Sequence, residues 1–341
     1  MVILKRKIKN KIFHDKRCQK ICRTRNRYKS KATTPINFSI ASKKLVVHAP
    51  ARMSIFEDTN STLQFFDDIT QKIKACAIRQ TLYFDLSNVE YITPDVVMYL
   101  IAIINNTKRL RMLDISCEGN MPINQQARLV FEDAGFFKFV YSKYSRTISD
   151  SSQFRKIENG STADNQLAGS FCNFVHSCCN KTYVDTKRLY PMIIELMTNT
   201  HQHAYHSKED DDTLEMYTNW YIFAQDIGAS VRFVFLDTGS GIPKTVSKRL
   251  REAFKDVFTA KNDAVYLESV LKGDYVRSET GLVHRGKGLP GIYEDCQNEY
   301  IKNFKIISGK AKCHVDKAAS IVTESIPYAF EGTLFTWDIE K

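Results

Sequence analysis

The stretch VFLDTGSGIP, residues 234–243, decides the fold. An apolar run that suits a strand delivers Asp237 to the end of a sheet. Gly239 and Gly241 then let the backbone turn tightly and approach a planar or anionic ligand closely. Alone, Asp-x-Gly-x-Gly is a common strand-end turn. Upstream, IELMTNTHQHAYH, residues 194–206, sets Glu195, Asn199 and His203 at i, i+4 and i+8 on one side of a helix. Downstream, Gly286-Lys287-Gly288-Leu289 precedes a helix-like segment whose N-terminal N–H groups can cradle phosphates, flanked by Arg285 and Lys287. That cluster is neither a Walker motif, since no Gly-Lys-Ser or Gly-Lys-Thr closes it, nor a full dinucleotide fingerprint. His201, His206 and the acidic run 209–212 read as a solvated helix end and loop rather than a zinc site.

Outward from these motifs the chain divides into four parts. Residues 1–44 hold 15 Lys and Arg against the single acid Asp15, a net of +14; the whole chain carries +11, so residues 45–341 carry −3. The basic character therefore belongs to a tail, 1–43, expected to be flexible and suited to nucleic acid phosphates, an anionic membrane surface or an acidic partner. Residues 44–145 alternate strand-like and helix-like runs: KKLVVHAPARM, a helix over 60–80, TLYFDLSNVEYI, the apolar helix VVMYLIAIINNTKR, a strand around LRMLDIS, and a helix ending at Gly135. Polar residues 146–165 read as a linker. Residues 166–341 supply two helices, two strands over 215–225 and 230–237, a charged span, and closing β-like runs. Two domains, each with its own core, are expected from 341 residues.

Nine cysteines in apolar surroundings fit reduced thiols better than a disulfide framework. His14, Cys18 and Cys22 at i+4 steps lack a fourth ligand for zinc. No apolar run is long enough to span a bilayer, and a cytoplasmic protein is expected.

Taken in order, Glu195, Asn199 and His203, then Asp237-x-Gly239-x-Gly241, then Gly286-x-Gly288-Leu289, then Gly332-Thr333, resemble the N, G1, G2 and glycine-threonine boxes of the GHKL superfamily of gyrase, Hsp90, histidine kinases and MutL. The resemblance implies a Bergerat-type α/β sandwich with helices on one face of a mixed sheet, and ATP with Mg²⁺ as cofactors. It gives Asn199 the role of Mg²⁺ ligand, Glu195 that of the carboxylate activating the attacking group, and His203 a polar position near the phosphates. Asp237 would read the adenine amine beside Gly239 and Gly241, and Thr333 would hold the bridging water. Arg285, Gly286, Lys287, Gly288 and Leu289 would form the phosphate loop, with Pro290 where many members carry glycine. A lid would span about 242–284, with Arg277, His284 and Arg285 as phosphate contacts.

FDLSNVEYITPDVVMYLIAI together with ARLVFEDAGFFKF resembles the STAS family of anti-sigma-factor antagonists. That resemblance implies an α/β regulatory domain over 44–145. Where switched members carry a serine, this chain reads Thr93-Pro94-Asp95. The expected function is a GHKL-type signalling protein that hydrolyses ATP or phosphorylates a protein partner under control of the STAS-like domain, with a homodimer left open. The alternative is an ATP-gated interaction module without turnover.

Overall fold

The computed structural model describes residues 44–140, 153–179, 186–202, 216–245, 263–273, 288–316 and 318–341. The chain begins with β1 (Lys44–His48), β2 (Arg52–Met53) and the helix α1 (Thr59–Ala75). Helix α1 buries Leu63, Phe66, Ile69 and Ile73, an apolar stripe at helical spacing. Arg109 closes it by donating from Nε to Ile73 O and from Nη2 to Lys74 O, both at 2.9 Å, which satisfies carbonyls left open at a helix end.

Next come β3 (Thr81–Asp85), β4 (Tyr91–Ile92) and α2 (Pro94–Asn106). Pro94 opens α2, where a missing N–H costs nothing. The helix is buried without interruption from Asp95 to Ile103, as expected for a helix apolar on all sides. It gives way to α3 (Lys108–Met112), β5 (Ser116–Gly119), α4 (Gln125–Asp133) and α5 (Phe136–Val140). Strands β1, β3 and β5 form a parallel sheet in the order β1-β3-β5.

The second sheet uses β6 (Phe154–Gly160), β7 (Trp220–Asp226), β8 (Ser230–Asp237), β9 (Lys302–Val315) and β10 (Ile321–Glu340) in the order β6-β7-β8-β10-β9. Its helices are α6 (Asn165–Cys178), α7 (Leu189–Gln202), α8 (Ile242–Thr245), α9 (Asp263–Lys272) and α10 (Gly288–Gln297). The described residues thus form an α/β protein with one parallel and one antiparallel sheet, besides the short parallel pair β2-β4.

Several expectations need correction. The strand around LRMLDIS is helical over its first part, because Leu110 on α3 points into the core while Asp114, at φ 53°, turns the chain before β5. Part of the expected linker is β6, an edge strand whose side chains are mostly partly exposed and whose Ile157 alone is fully buried. All four pairings of the second sheet are antiparallel rather than mixed.

That sheet is also covered on both faces. Side chains alternate across a strand, so Trp220, Ile222, Phe233, Phe235 and Trp337 meet α6, α7, α9 and α10. Tyr221, Phe223, Val234, Leu236 and Leu334 instead join the core of β1 to α5, with α2 against them. The two expected domains therefore share a core, and residues 44–341 form one unit. No helix among the described residues is long and apolar enough to cross a membrane.

Candidate functional site

Strand β8 ends at Asp237, directly paired with Thr333 of β10. Two glycines let the chain beyond this pair pack tightly. Gly332 has φ +97°, and a Cβ there would lie 2.1 Å from Asp237 O, a distance no side chain tolerates. Gly241 has φ +80°, and a Cβ there would lie 2.9 Å from both Gly332 O and Ser308 Oγ. The turn after β8 is thereby pressed against the strand that carries Gly332 and Thr333.

Ser308 of β9 locks this junction. Its hydroxyl donates to Gly332 O at 2.8 Å and accepts from Ile242 N–H at 2.9 Å. Since its one proton is committed to the carbonyl, the 3.0 Å contact with Thr333 Oγ1 is satisfied by Thr333 donating. Thr333 keeps its lone pairs for another donor, such as a water.

The Asp237 carboxylate accepts from Gly239 N–H at 2.7 Å and remains partly open. Burial pushes its pKa up to about 6, against the opposing pull of that N–H. Thr238 points the other way and is buried. Its Oγ1 donates toward Tyr217 O at 2.8 Å and accepts from Asn219 N–H at 2.9 Å.

A second group lies on α7 and α10. Glu195 and Asn199 stand one turn apart on α7, both half-buried. Gly288 opens α10 against them: a Cβ there would lie 2.7 Å from Glu195 Cγ, 2.9 Å from Glu195 Oε1 and 3.1 Å from Asn199 Nδ2. Only glycine lets the N-terminus of α10 come this close. Pro290 lies in the first turn of α10, where its missing N–H breaks no intrahelical bond. Arg188, just before α7, binds Asp295 of α10 and ties the two helices together. An amide oxygen and a carboxylate oxygen are hard donors that suit Mg²⁺ completed by water and phosphate oxygens.

Both groups are anchored in one apolar core that holds Ile193, Leu196 and Met197 of α7, Ile292 of α10, Phe235 of β8 and Ile242. Helix α9, inside the span expected as a lid, contributes Leu267 and Leu271 to that core. Asp263 at its start accepts from Lys310 N–H at 2.7 Å. His203, Arg277, His284, Arg285, Gly286 and Lys287 lie outside the described residues.

The structure thus pairs Asp237 with Gly332-Thr333, and Glu195 and Asn199 with Gly288, each across long stretches of sequence. Ser308 and Asn106 escaped sequence reasoning because neither belongs to a motif, and Thr238 because it fills an unspecified position of Asp-x-Gly-x-Gly. Comparison of the chain with protein-family models, curated proteins and solved structures gave no match.

Proposed function

We propose that the chain is an Mg²⁺-ATP-binding signalling protein of the GHKL type that hydrolyses ATP or phosphorylates a protein partner. Its five-stranded sheet would be a Bergerat-type site, and its N-terminal layer a STAS-like regulatory element fused in cis. The carrying observation is the pair of glycine contacts, Gly332 on Asp237 and Gly288 on Glu195 and Asn199, which joins four separate sequence boxes in two clusters.

In this reading Asp237 accepts the hydrogen bond of the adenine amine, and Thr333 receives the bridging water. Asn199 holds Mg²⁺ through its amide oxygen. Glu195, next to it, takes the proton from a water or an acceptor hydroxyl as that oxygen bonds to the γ-phosphorus and the bond to the β,γ-bridging oxygen breaks, releasing ADP. The N–H groups at the start of α10 favour the charge accumulating on the phosphoryl oxygens. When bound, Mg²⁺ would neutralise phosphate charge.

The experiment is incubation with Mg²⁺ and γ-labelled ATP, beside Glu195→Ala and Asn199→Ala, following label into protein and free phosphate. Label on protein, lost in both variants, is the kinase outcome. Free phosphate alone, likewise lost, is an ATPase. The alternative, an ATP-gated interaction module, draws support from the core shared by layer and sheet; it predicts ATP binding with neither product. Absence of ATP binding would sink both readings.

A further inference from the structure

The apolar helix α2 belongs to the N-terminal layer, yet two of its polar side chains, Tyr99 and Asn106, reach the segments that flank the Asp237–Thr333 pair. Tyr99 and Asn106 are seven residues apart, two turns and about 10 Å along one helix face. Both are buried.

Tyr99 reaches β10. Its Oη accepts the N–H of Glu331 at 3.2 Å, and its ring stacks on Phe330 with centroids 4.3 Å apart and planes 26° apart. The ladder between β10 and β9 shifts register between Phe330 and Thr333, so Glu331 and Gly332 sit in an irregularity of the sheet. Tyr99 braces that irregularity one residue before the glycine that touches Asp237 O.

Asn106 reaches the other side of the same rung. Its Nδ2 donates to Thr238 Oγ1 at 3.3 Å and to Tyr217 O at 3.1 Å, while its Oδ1 accepts from Asn219 Nδ2 at 3.1 Å. The main chain adds Tyr217 N–H to Asn106 O at 2.9 Å and a bridge between Thr107 and Met216. Thr238 directly follows Asp237. The Asp237–Thr333 rung is therefore bracketed, before Gly332 and after Asp237, by two side chains of one helix from the other layer.

We infer that Tyr99 and Asn106 are positioning residues of the nucleotide pocket, so that α2 sets the geometry of its base-reading edge; this rests on the proposed ATP binding. A buried donor or acceptor left without its partner pulls its neighbour out of place or costs the bond outright. Here the neighbours are the irregular part of β10 and the turn after β8, whose spacing would admit the base. By linkage, a nucleotide that binds this edge must in turn favour the arrangement of α2 that holds it.

The test is calorimetric titration of the full chain with MgATP and MgADP, comparing wild type, Tyr99→Phe, Asn106→Ser and Leu100→Val, with the melting temperature of each. Leu100 is buried on the same helix and serves as the packing control. Tyr99→Phe removes one oxygen and keeps the ring. Tyr99→Phe and Asn106→Ser are expected to weaken ATP and ADP by the same factor, about tenfold, because the change lies at the base. Leu100→Val is expected to lower the melting temperature while leaving both affinities within about twofold, since it breaks no bond to the loops. Wild-type affinity in Tyr99→Phe, or affinity loss in Leu100→Val in step with its lost stability, overturns the inference while the ATP reading stands. A wild type that binds neither nucleotide overturns both.

Discussion

The two faces of the five-stranded sheet are built differently. The helix-covered face is apolar along its length, from Trp220, Ile222 and Ala224 through Phe233 and Phe235 to Trp337 and Ile339. The Phe233 and Trp337 rings stack there, 5.2 Å apart and nearly parallel. The face toward the N-terminal layer is apolar near Asp237, with Tyr221, Leu236 and Leu334. At its far end it carries Arg232, which grips Asp338 with two bonds of 2.8 and 2.9 Å. Area alone is enough to hold helices on a sheet. Directional bonds such as those of Tyr99 and Asn106 fix a register, and they are spent on the face that belongs to the other layer.

The strongest way to break this comparison is to remove the layer. A chain beginning at Gln153 would expose Tyr221, Phe223, Val234, Leu236 and Leu334 to water. It is expected to lose its cooperative thermal transition and to self-associate on sedimentation. A monomeric fragment with a sharp melt would mean that the layer is merely docked.

Single substitutions sharpen the same contrast. Trp337→Ala on the helix face should cost about 3–5 kcal/mol, and Leu334→Ala on the layer face about 2–5 kcal/mol, by urea unfolding. A cost under about 1 kcal/mol at Leu334, the level of a surface site, would contradict a shared core.

The smallest expected stability change concerns Asp237. Its pKa is raised from 3.8 to about 6, so the folded state favours the protonated form. The stabilisation is complete below 3.8 and disappears as pH rises through 6, leaving a charged, partly buried carboxylate at pH 7. Asp237→Asn should therefore match wild-type stability near pH 4 and exceed it by about 1 kcal/mol at pH 7, once partial exposure is allowed for. The same substitution should weaken ATP at least about tenfold at pH 7, and wild-type ATP affinity should fall as pH drops through 6. Parallel loss of stability and binding would make Asp237 a structural turn.

The order of the glycine boxes was legible because backbone contact demands glycine and leaves a local trace: Gly241, Gly288 and Gly332 each occupy a place where a Cβ would collide. The strands β7 and β8 were legible from apolar content. Their continuous runs, WYIFA and FVFL, also carried the mark of a sheet buried on both faces, since a half-exposed strand alternates. The resemblance by itself implies helices on one face only, and leaves the cover on the other face unstated. β6 left little trace because only Phe154 and Ile157 of this edge strand are apolar, and Arg155, Lys156, Glu158 and Asn159 give it the polar look of a linker. Ser308 and Asn106 left none. Their partners lie 25 and 132 residues away, and no periodicity reports such a bond.

The brace between Tyr99 and Glu331 spans 232 residues, and Lys312 meets Thr59 across 253. Contacts this distant in the chain are closed late in folding. On a ribosome adding about 5–20 residues per second, helix α2 emerges roughly 10–50 s before β10 arrives to cover it. Throughout that interval a helix apolar over most of its surface lacks one of its walls, because the strand that completes the first core lies more than 200 residues downstream.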